Sequence, residues 1–195
     1  GTKYDDEKIS IIKQKYINLI SENSINKTII LPETAIPLIY ERDKSFYQSM
    51  RSSEDINIIS GVFHKNTDKN KIYNSIVVLN EDEQIYDKRH LVPFGEYTPI
   101  KIIFDYLSKK LNIPMSNLSH GDLKQKAFVV DNIIMHPLIC YEIAYPQLIN
   151  MGNDYSLIIN VSNDAWFGDT FAPHQHLQIA RLRALEAANP VIRAA

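Results

Sequence analysis

Cysteine, glycine and an excess of charge of either sign are all scarce in this sequence. Its 195 residues include one cysteine, Cys140, and six glycines. A single thiol forms no disulfide within the chain, which excludes a small disulfide-stapled scaffold. The few glycines form no phosphate-cradling loop and no dinucleotide-binding fingerprint, which argues against a nucleotide site. With 21 basic and 23 acidic residues the net charge is −2, and basic and aromatic residues do not interleave, so nucleic acid is not an expected partner.

Long hydrophobic runs are missing as well. The longest, residues 133–140, contains His136 and Pro137 and falls far short of the ~18 apolar residues that a membrane-spanning helix needs. Hydrophobic residues still make up 45% of the chain against 23% charged, which are the proportions of an ordinary globular domain. The sequence starts without a signal-peptide pattern and stops in what reads as the opening of a strand. We therefore expect residues 1–195 to be one domain cut from a longer protein.

Helical and strand-like patterns alternate along the chain. Apolar residues at three- and four-residue spacing predict an amphipathic helix after Asp5, and further helices are predicted over residues 41–52 and 174–188. Short β-branched runs predict the strands, at residues 28–31, 56–63, 72–79, 84–86, 127–130, 133–139 and 155–161. This alternation indicates one α/β domain with a mixed sheet and covering helices.

Three polar side chains follow apolar strand runs, at the edge where a sheet presents groups to a crevice. Glu33 follows the first run, Lys88 follows residues 84–86, and Cys140 follows residues 133–139. A carboxylate, an ammonium and a thiol from three strand ends are placed to converge.

The thiol of Cys140 requires activation if it acts as a nucleophile. A free thiol with a pKa of about 8.5 is only ~3% thiolate at pH 7. Glu33 then acts as the base and Lys88 as the cation, and Lys88 with the backbone N–H after Cys140 stabilises the oxyanion once sulfur attacks a carbonyl. This arrangement indicates acyl transfer through a thioester.

Each of these residues also has a purely structural interpretation. A lone cysteine that ends an apolar strand is more often a small buried hydrophobic residue. Lys88 next to Arg89 reads equally as a solvated pair, and Glu33 after Pro32 reads equally as the start of a helix or turn. Only the three motifs together favour the catalytic interpretation.

Histidine-based alternatives fit the pattern less well. His136 shares strand parity with Cys140, but four residues at ~3.3 Å per residue separate them by roughly 13 Å, beyond hydrogen-bonding reach. His174 and His176, two residues apart on a helix, point to different sides, and no sulfur cluster accompanies them, so no metal site is expected.

Two further features have open interpretations. Residues 91–118 form a long irregular excursion with four proline and glycine residues and an apolar stripe, which suits either lipid contact or a core; the stripe consists of Ile100, Ile103, Phe104, Leu107 and Leu111. Trp166, the only tryptophan, is either a core plug or the wall of a pocket.

Four motifs together resemble the nitrilase (carbon–nitrogen hydrolase) superfamily. The resemblance covers essentially all 195 residues in order, and the run from residue 174 to 186 is similar to the acyltransferase branch of that superfamily. The motifs are LPETAIP at residues 31–37, YDKRHLVPFGEY at 86–97, ICYE at 139–142, and residues 162–168.

The resemblance implies both a fold and a set of site residues. The implied fold is a four-layer α-β-β-α sandwich, here incomplete at both ends, because a first strand, the C-terminal strands and flanking membrane helices are expected outside residues 1–195. By resemblance Glu33, Lys88 and Cys140 are the catalytic triad. Substrate-binding or supporting positions match Glu96, Tyr141, Glu142 and Trp166.

The reaction implied is an N-acyl transfer on the periplasmic side of a bacterial inner membrane. Cys140 takes a fatty acyl chain from a glycerophospholipid and passes it to the N-terminal amine of a diacylglyceryl-cysteine lipoprotein, without a metal or organic cofactor. A hydrolase of the nitrilase type, acting on an amide or carbamoyl group, shares the triad and remains the alternative. An inactive fragment with a scaffold role is a third interpretation, of another class.

Overall fold

A computed structural model describes residues 3–23, 25, 27–51, 56–92, 96, 118–150 and 154–195, apart from the side chains of residues 3–6 and 166. Helix α1 (Lys3–Glu22) leads into strand β1 (Thr28–Ile30), and helix α2 (Lys44–Ser49) precedes strands β2 (Asn57–Asn66), β3 (Lys71–Leu79) and β4 (Gln84–Asp87). The second half contains β5 (Phe128–Val130), β6 (Ile133–Ile139), a 3₁₀ helix (Cys140–Ala144), α3 (Pro146–Ile149), β7 (Leu157–Val161), a second 3₁₀ helix (Asp164–Phe167), α4 (Ala172–Ala187) and β8 (Val191–Ala194).

The strands form two separate four-stranded sheets. In the first sheet, ordered β1-β2-β3-β4, β1 runs parallel to β2 and the other pairs are antiparallel. In the second, ordered β5-β6-β7-β8, the β5–β6 hairpin is antiparallel and the other pairs are parallel. Asp131 and Asn132 make the hairpin turn with φ of 50° and 63°, the left-handed region that Asp and Asn tolerate.

Alternate side chains of the strands separate the core into three layers. Ile59 and Ile76 of the first sheet pack against Ile139 and Ile159 of the second, which fills the space between the sheets. The opposite face of the first sheet packs against α1 and α2, and that of the second against α3 and α4. The architecture is therefore an α-β-β-α sandwich. Burial of each fully buried isoleucine side chain contributes ~1.5–3 kcal/mol to the stability of the fold.

Most of the predicted elements are confirmed, with three differences. The first helix begins at Lys3 rather than after Asp5, and the predicted helix over residues 41–52 is the shorter α2. The residue patterns indicate one mixed sheet, whereas the structure has two, as the family resemblance implies. The strand that the last residues were expected to open is β8.

Two expectations of the sequence lie beyond this description. The apolar stripe from Ile100 to Leu111 falls outside the described residues, and the strands and membrane helices expected beyond residues 1–195 stay predictions. Within the described part of the chain, no helix combines the length and the hydropathy that crossing a bilayer demands.

Candidate active site

The ends of β1, β4 and β6 bring Glu33, Lys88 and Cys140 to one site at the edge of the two sheets. Glu33 is 8% and Lys88 1% exposed, and the Lys88 Nζ lies 3.6 Å from Glu33 Oε1. The Cys140 side chain is half-buried against the core between the sheets and interacts electrostatically with both. The convergence expected from the strand ends is therefore present in the fold.

Glu33 is held by hydrogen bonds from both sheets. The Asn74 side chain of β3 donates to Oε1 at 2.7 Å, and the backbone N–H of Asn163, after β7, donates to Oε2 at 2.9 Å. Gly61 of β2 makes room for this segment, because a Cβ there would lie 2.5 Å from the Glu33 Cα. The carboxylate is thus fixed before any substrate arrives.

Glu96 supplies the closest counter-ion of Lys88. Its Oε2 lies 2.7 Å from the Lys88 Nζ and accepts the backbone N–H of Val92 at 2.9 Å, and its Oε1 accepts from Asn74 at 2.6 Å. Burial alone would lower the pKa of Lys88, but its attraction to Glu33 and Glu96 outweighs that effect and raises the pKa. Lys88 is therefore an ammonium near pH 7, and it lies between the side chains of Glu33 and Glu96.

Cys140 sits at a sharp change of chain direction. Strand β6 ends at Ile139, and Cys140 opens the 3₁₀ helix with φ of +52°, a region that costs a residue with a Cβ ~1 kcal/mol or more. Burial and repulsion by Glu33 raise the pKa of its thiol to about 11, although Lys88, Ser162 and the backbone N–H of Tyr141 act to lower it. The resting form near pH 7 is therefore the thiol.

Glu142 joins the ends of β4 and β6 from behind the site. It is fully buried, and its Oε1 accepts the backbone N–H groups of Arg89 at 2.7 Å and His90 at 3.0 Å. Its Oε2 accepts the backbone N–H of Ile139 at 2.8 Å and the hydroxyl of Tyr86 at 3.0 Å. Burial raises the pKa of Glu142 despite these donors. Glu142 thus ties the residues next to Lys88 to the residue before Cys140.

The other two expected supporting residues are Tyr141, directly after Cys140, and Trp166, which follows β7. The side chain of Tyr141 is 44% exposed and packs edge to face with Tyr145, with ring centroids 6.1 Å apart. Trp166 belongs to the second 3₁₀ helix, and its side chain lies outside the described residues.

Asn74 and Ser162 are site residues that the sequence reasoning missed. Asn74 is buried and joins Glu33 to Glu96, and Ser162, also buried, is among the groups that act to lower the pKa of the Cys140 thiol. The available signal was a polar residue inside or directly after an apolar strand run, which is the position of Asn74 in β3 and of Ser162 after β7. A buried polar side chain of this kind needs a hydrogen-bond partner, and for Asn74 the partners are Glu33 and Glu96.

The histidines occupy other places. His136 Nε2 hydrogen-bonds the Leu148 carbonyl at 2.8 Å, and burial lowers its pKa to about 4. It packs on the helix side of the sheet, whereas Cys140 leaves the strand and turns toward the core between the sheets, so the expected shared face does not exist. His174 is exposed and His176 is buried. The described residues contain no group of three or more His, Cys, Asp or Glu arranged to hold a metal ion.

The sequence matches a family model across nearly its whole length. The model of the carbon-nitrogen hydrolase family covers residues 2–195. The chain is 39% identical to an apolipoprotein N-acyltransferase of Pasteurella multocida over 207 aligned positions, covering 98% of this chain and 40% of that protein. It is also 39% identical to an apolipoprotein N-acyltransferase of Haemophilus influenzae, covering 92% of this chain and 37% of that protein. The chain thus spans about 40% of the length of such relatives.

Solved structures share the fold at low sequence identity. A carbon-nitrogen hydrolase from Helicobacter pylori aligns with a TM-score of 0.70 and 16% identity, covering 95% of this chain and 68% of that one. An amidase of the nitrilase superfamily from Nesterenkonia aligns with a TM-score of 0.63 and 13% identity, covering 97% and 70%. These likenesses agree with the two-sheet architecture described above.

Proposed function

This chain belongs to the carbon–nitrogen hydrolase family, and we propose that it forms the catalytic part of an apolipoprotein N-acyltransferase. Two relatives of that name are 39% identical over 92–98% of this chain. The observation that carries the chemistry is the buried Lys88 ammonium between Glu33 and Glu96, beside a thiol whose pKa is raised to about 11. In this proposal Cys140 stays a thiol until it attacks the substrate, and Glu33, held by its hydrogen bonds, is the base that takes its proton.

In the first half of the proposed reaction, the sulfur of Cys140 attacks the ester carbonyl of a glycerophospholipid. Glu33 takes the thiol proton as the carbon–sulfur bond forms, and Lys88 and the N–H of Tyr141 stabilise the oxyanion. The ester carbon–oxygen bond then breaks, and Glu33 returns the proton to the oxygen of the departing lysophospholipid. The enzyme is left as a thioester.

In the second half, the N-terminal amine of a diacylglyceryl-cysteine lipoprotein attacks the thioester. Glu33 takes a proton from the amine as the carbon–nitrogen bond forms. The carbon–sulfur bond breaks, and the proton returns to the sulfur of Cys140. The products are an N-acylated lipoprotein and the original thiol, so the cycle needs no metal or organic cofactor.

The phospholipid donor and the lipoprotein acceptor place the whole protein at a bacterial inner membrane, with this domain on the periplasmic side. Membrane helices outside residues 1–195 supply the attachment in this proposal. The apolar stripe from Ile100 to Leu111 is assigned the role of lipid contact in this proposal. Tyr141, Glu142, Glu96 and Trp166 are assigned supporting or substrate-binding roles.

The test measures where the acyl chain goes. The full-length protein is mixed with a phospholipid carrying a labelled acyl chain, with and without a diacylglyceryl-cysteine peptide, and Cys140→Ala is the matched control. We expect a labelled amide only when the peptide is present, and no product from the variant. Labelled free fatty acid formed at the same rate with and without peptide would instead support the hydrolase alternative, and product from Cys140→Ala would overturn the nucleophile.

A further inference from the structure

The backbone carbonyl of Cys140 accepts two side-chain hydrogen bonds from buried residues. His176 of α4 approaches it with Nε2 at 3.1 Å, and Asn160 of β7 donates Nδ2 to it at 3.1 Å. His176 is 2% exposed and Asn160 is fully buried. Because a carbonyl only accepts, Nε2 of His176 must carry a hydrogen.

The other end of the same peptide group faces the reacting atom. The N–H that belongs to the Cys140–Tyr141 peptide is that of Tyr141, and it acts to lower the pKa of the Cys140 thiol, as a donor near the sulfur does. Hydrogen bonds to a peptide oxygen polarise the group and strengthen its N–H as a donor. The two donors on the carbonyl therefore act on the N–H that meets the sulfur and any oxyanion formed there.

Arg193 and Asp164 form a second set of hydrogen-bonding residues, which holds Asn160 and His176 in place. Arg193 of β8 lies in register with Asn160 and donates Nη1 to its Oδ1 at 2.5 Å. The same guanidinium donates Nη2 to Asp164 Oδ2 at 2.5 Å, and Asp164 Oδ1 lies 3.1 Å from Nδ1 of His176. Asp164 also accepts the Ser162 hydroxyl at 2.8 Å. Arg193 and Asp164 thus fix the side chains of Asn160 and His176, and Asp164 also fixes the hydroxyl of Ser162.

The backbone of Cys140 explains why such support is needed. Its φ of +52° lies where residues with a Cβ are rarely stable, and such a conformation persists only when its surroundings determine it. Rotation of the Cys140–Tyr141 peptide, which changes ψ of Cys140 and φ of Tyr141, would turn the N–H of Tyr141 away from the sulfur. Two hydrogen bonds on the carbonyl oppose that rotation.

We propose that His176 and Asn160 are positioning residues that hold and polarise the Cys140–Tyr141 peptide so that its N–H stabilises the oxyanion of acyl transfer. The proposal rests on the proposed function, because it assigns the two residues to the thioester-forming step. Neither residue touches substrate in this role. Both act through the peptide of the nucleophile.

The test compares variants of His176 with a matched buried histidine. His176→Leu removes the donor, and His176→Gln keeps one, since Gln Nε2 occupies a place close to that of His Nε2. His136→Leu is the control, because it also removes a buried imidazole bonded to a backbone carbonyl, but on the helix side of β6. Asn160→Asp is the second variant and replaces the donor with an acceptor of the same shape.

Two measurements on the full-length protein separate positioning from packing. We expect His176→Leu and Asn160→Asp to lower kcat for thioester formation about 10- to 100-fold, less than the loss of an oxyanion donor itself, with little change in KM for phospholipid. His176→Gln should recover most of the rate, and His136→Leu should stay near wild type. In the infrared spectrum of the ¹³C-labelled thioester, the carbonyl band should move to higher frequency in His176→Leu, because its hydrogen bond is weaker.

The outcomes distinguish this proposal from the function on which it rests. If wild type forms no thioester, both are overturned. If wild type forms it but His176→Leu matches His136→Leu in rate and in carbonyl frequency, the positioning role is wrong and the function stands. If His176→Leu does not fold, the same comparison is made with His176→Gln and Asn160→Asp, and equal rates and frequencies in these two variants would overturn the role.

Discussion

The Lys88 ammonium lies 2.7 Å from Oε2 of Glu96, closer than the 3.6 Å that separates it from Oε1 of Glu33. Both partners of the shorter pair are largely buried, so their attraction is weakly screened. Glu96 is therefore the nearer counter-ion of Lys88, and Glu33 is the more distant one. In the proposed reaction this division of labour separates the base from the counter-ion.

Removing the charge of Glu96 tests this division. In Glu96→Gln, Lys88 loses its nearest carboxylate and is expected to pair more closely with Glu33, which then becomes a weaker base. We expect the rate of lysophospholipid release to fall about tenfold or more, a smaller loss than the ~10²–10⁴-fold of removing general base catalysis, because Glu33 is weakened and not removed. Glu81→Gln, in the exposed β3–β4 turn, is the matched control. A rate equal to that of the control would show that Glu33 does not depend on Glu96.

The thiol titration gives the second prediction. The thiolate absorbance of Cys140, measured as the difference between wild type and Cys140→Ala, should appear with a midpoint near pH 11. Glu33→Gln should lower this pKa because it removes a repelling charge, and Lys88→Met should raise it because it removes an attracting one.

The rate of Glu33→Gln should move in the opposite direction to its thiolate content. Although its thiolate is more easily formed, we expect acyl transfer to fall by ~10²–10⁴-fold, because no group remains to take the proton from the thiol or the amine. Acyl transfer that rises together with the thiolate fraction would mean that Glu33 only sets the pKa of the thiol.

Gly61 is expected to be intolerant of a side chain for reasons of activity as well as stability. In Gly61→Ala the added Cβ would lie 2.5 Å from the Glu33 Cα, so the segment that carries the base must shift. We expect a loss of ~1–3 kcal/mol in the free energy of unfolding from this overpacking, together with a large fall in kcat.

Val62→Ala in the same strand is the control for Gly61→Ala, since Val62 belongs to the core on the helix side of the first sheet and its truncation leaves a cavity there. Denaturant unfolding and the rate per folded molecule are measured for both. Equal rates per folded molecule in the two variants would contradict the role assigned to Gly61.

Glu142 gives a prediction about stability. In Glu142→Gln one of the two oxygens becomes an NH₂ group that faces two donors, either Arg89 and His90 or Ile139 and Tyr86. We expect a loss of ~1–3 kcal/mol, the cost of buried donors left without an acceptor, measured by thermal unfolding.

Tyr86→Phe, which removes one of the donors to Glu142, should cost less than Glu142→Gln. Since the two residues share a hydrogen bond, the double variant should be less destabilised than the sum of the two single variants. Additive losses would show that Tyr86 and Glu142 do not interact as the structure has them.

The sequence predicted the three strand-end residues because each follows an apolar run that could be read locally. Glu33, Lys88 and Cys140 all lie where β1, β4 and β6 end. The second sheet was not visible from the residue patterns, because it pairs β7 with β6 and β8, and those contacts are set by the packing of whole layers. The family resemblance, and not the periodicity, implied two sheets.

The conformation of Cys140 could not be predicted from strand parity. Parity placed His136 and Cys140 on one face, but the strand ends one residue before Cys140 and the left-handed φ turns its side chain toward the core between the sheets. His176 was considered only as a metal ligand, because its bond to the Cys140 carbonyl joins residues 36 positions apart. Long-range contacts of this kind leave no local pattern.

The covalent state of Cys140 tests the central claim most directly. The full-length protein is mixed with a phospholipid of one defined acyl chain, without acceptor, and its intact mass and peptide fragments are measured. The account predicts a mass increase of one acyl group on the peptide that contains Cys140, absent from Cys140→Ala and lost when a diacylglyceryl-cysteine peptide is added as the N-acylated product appears. An N-acylated product formed without any acyl group on Cys140, or an acyl group carried by another residue, would contradict it.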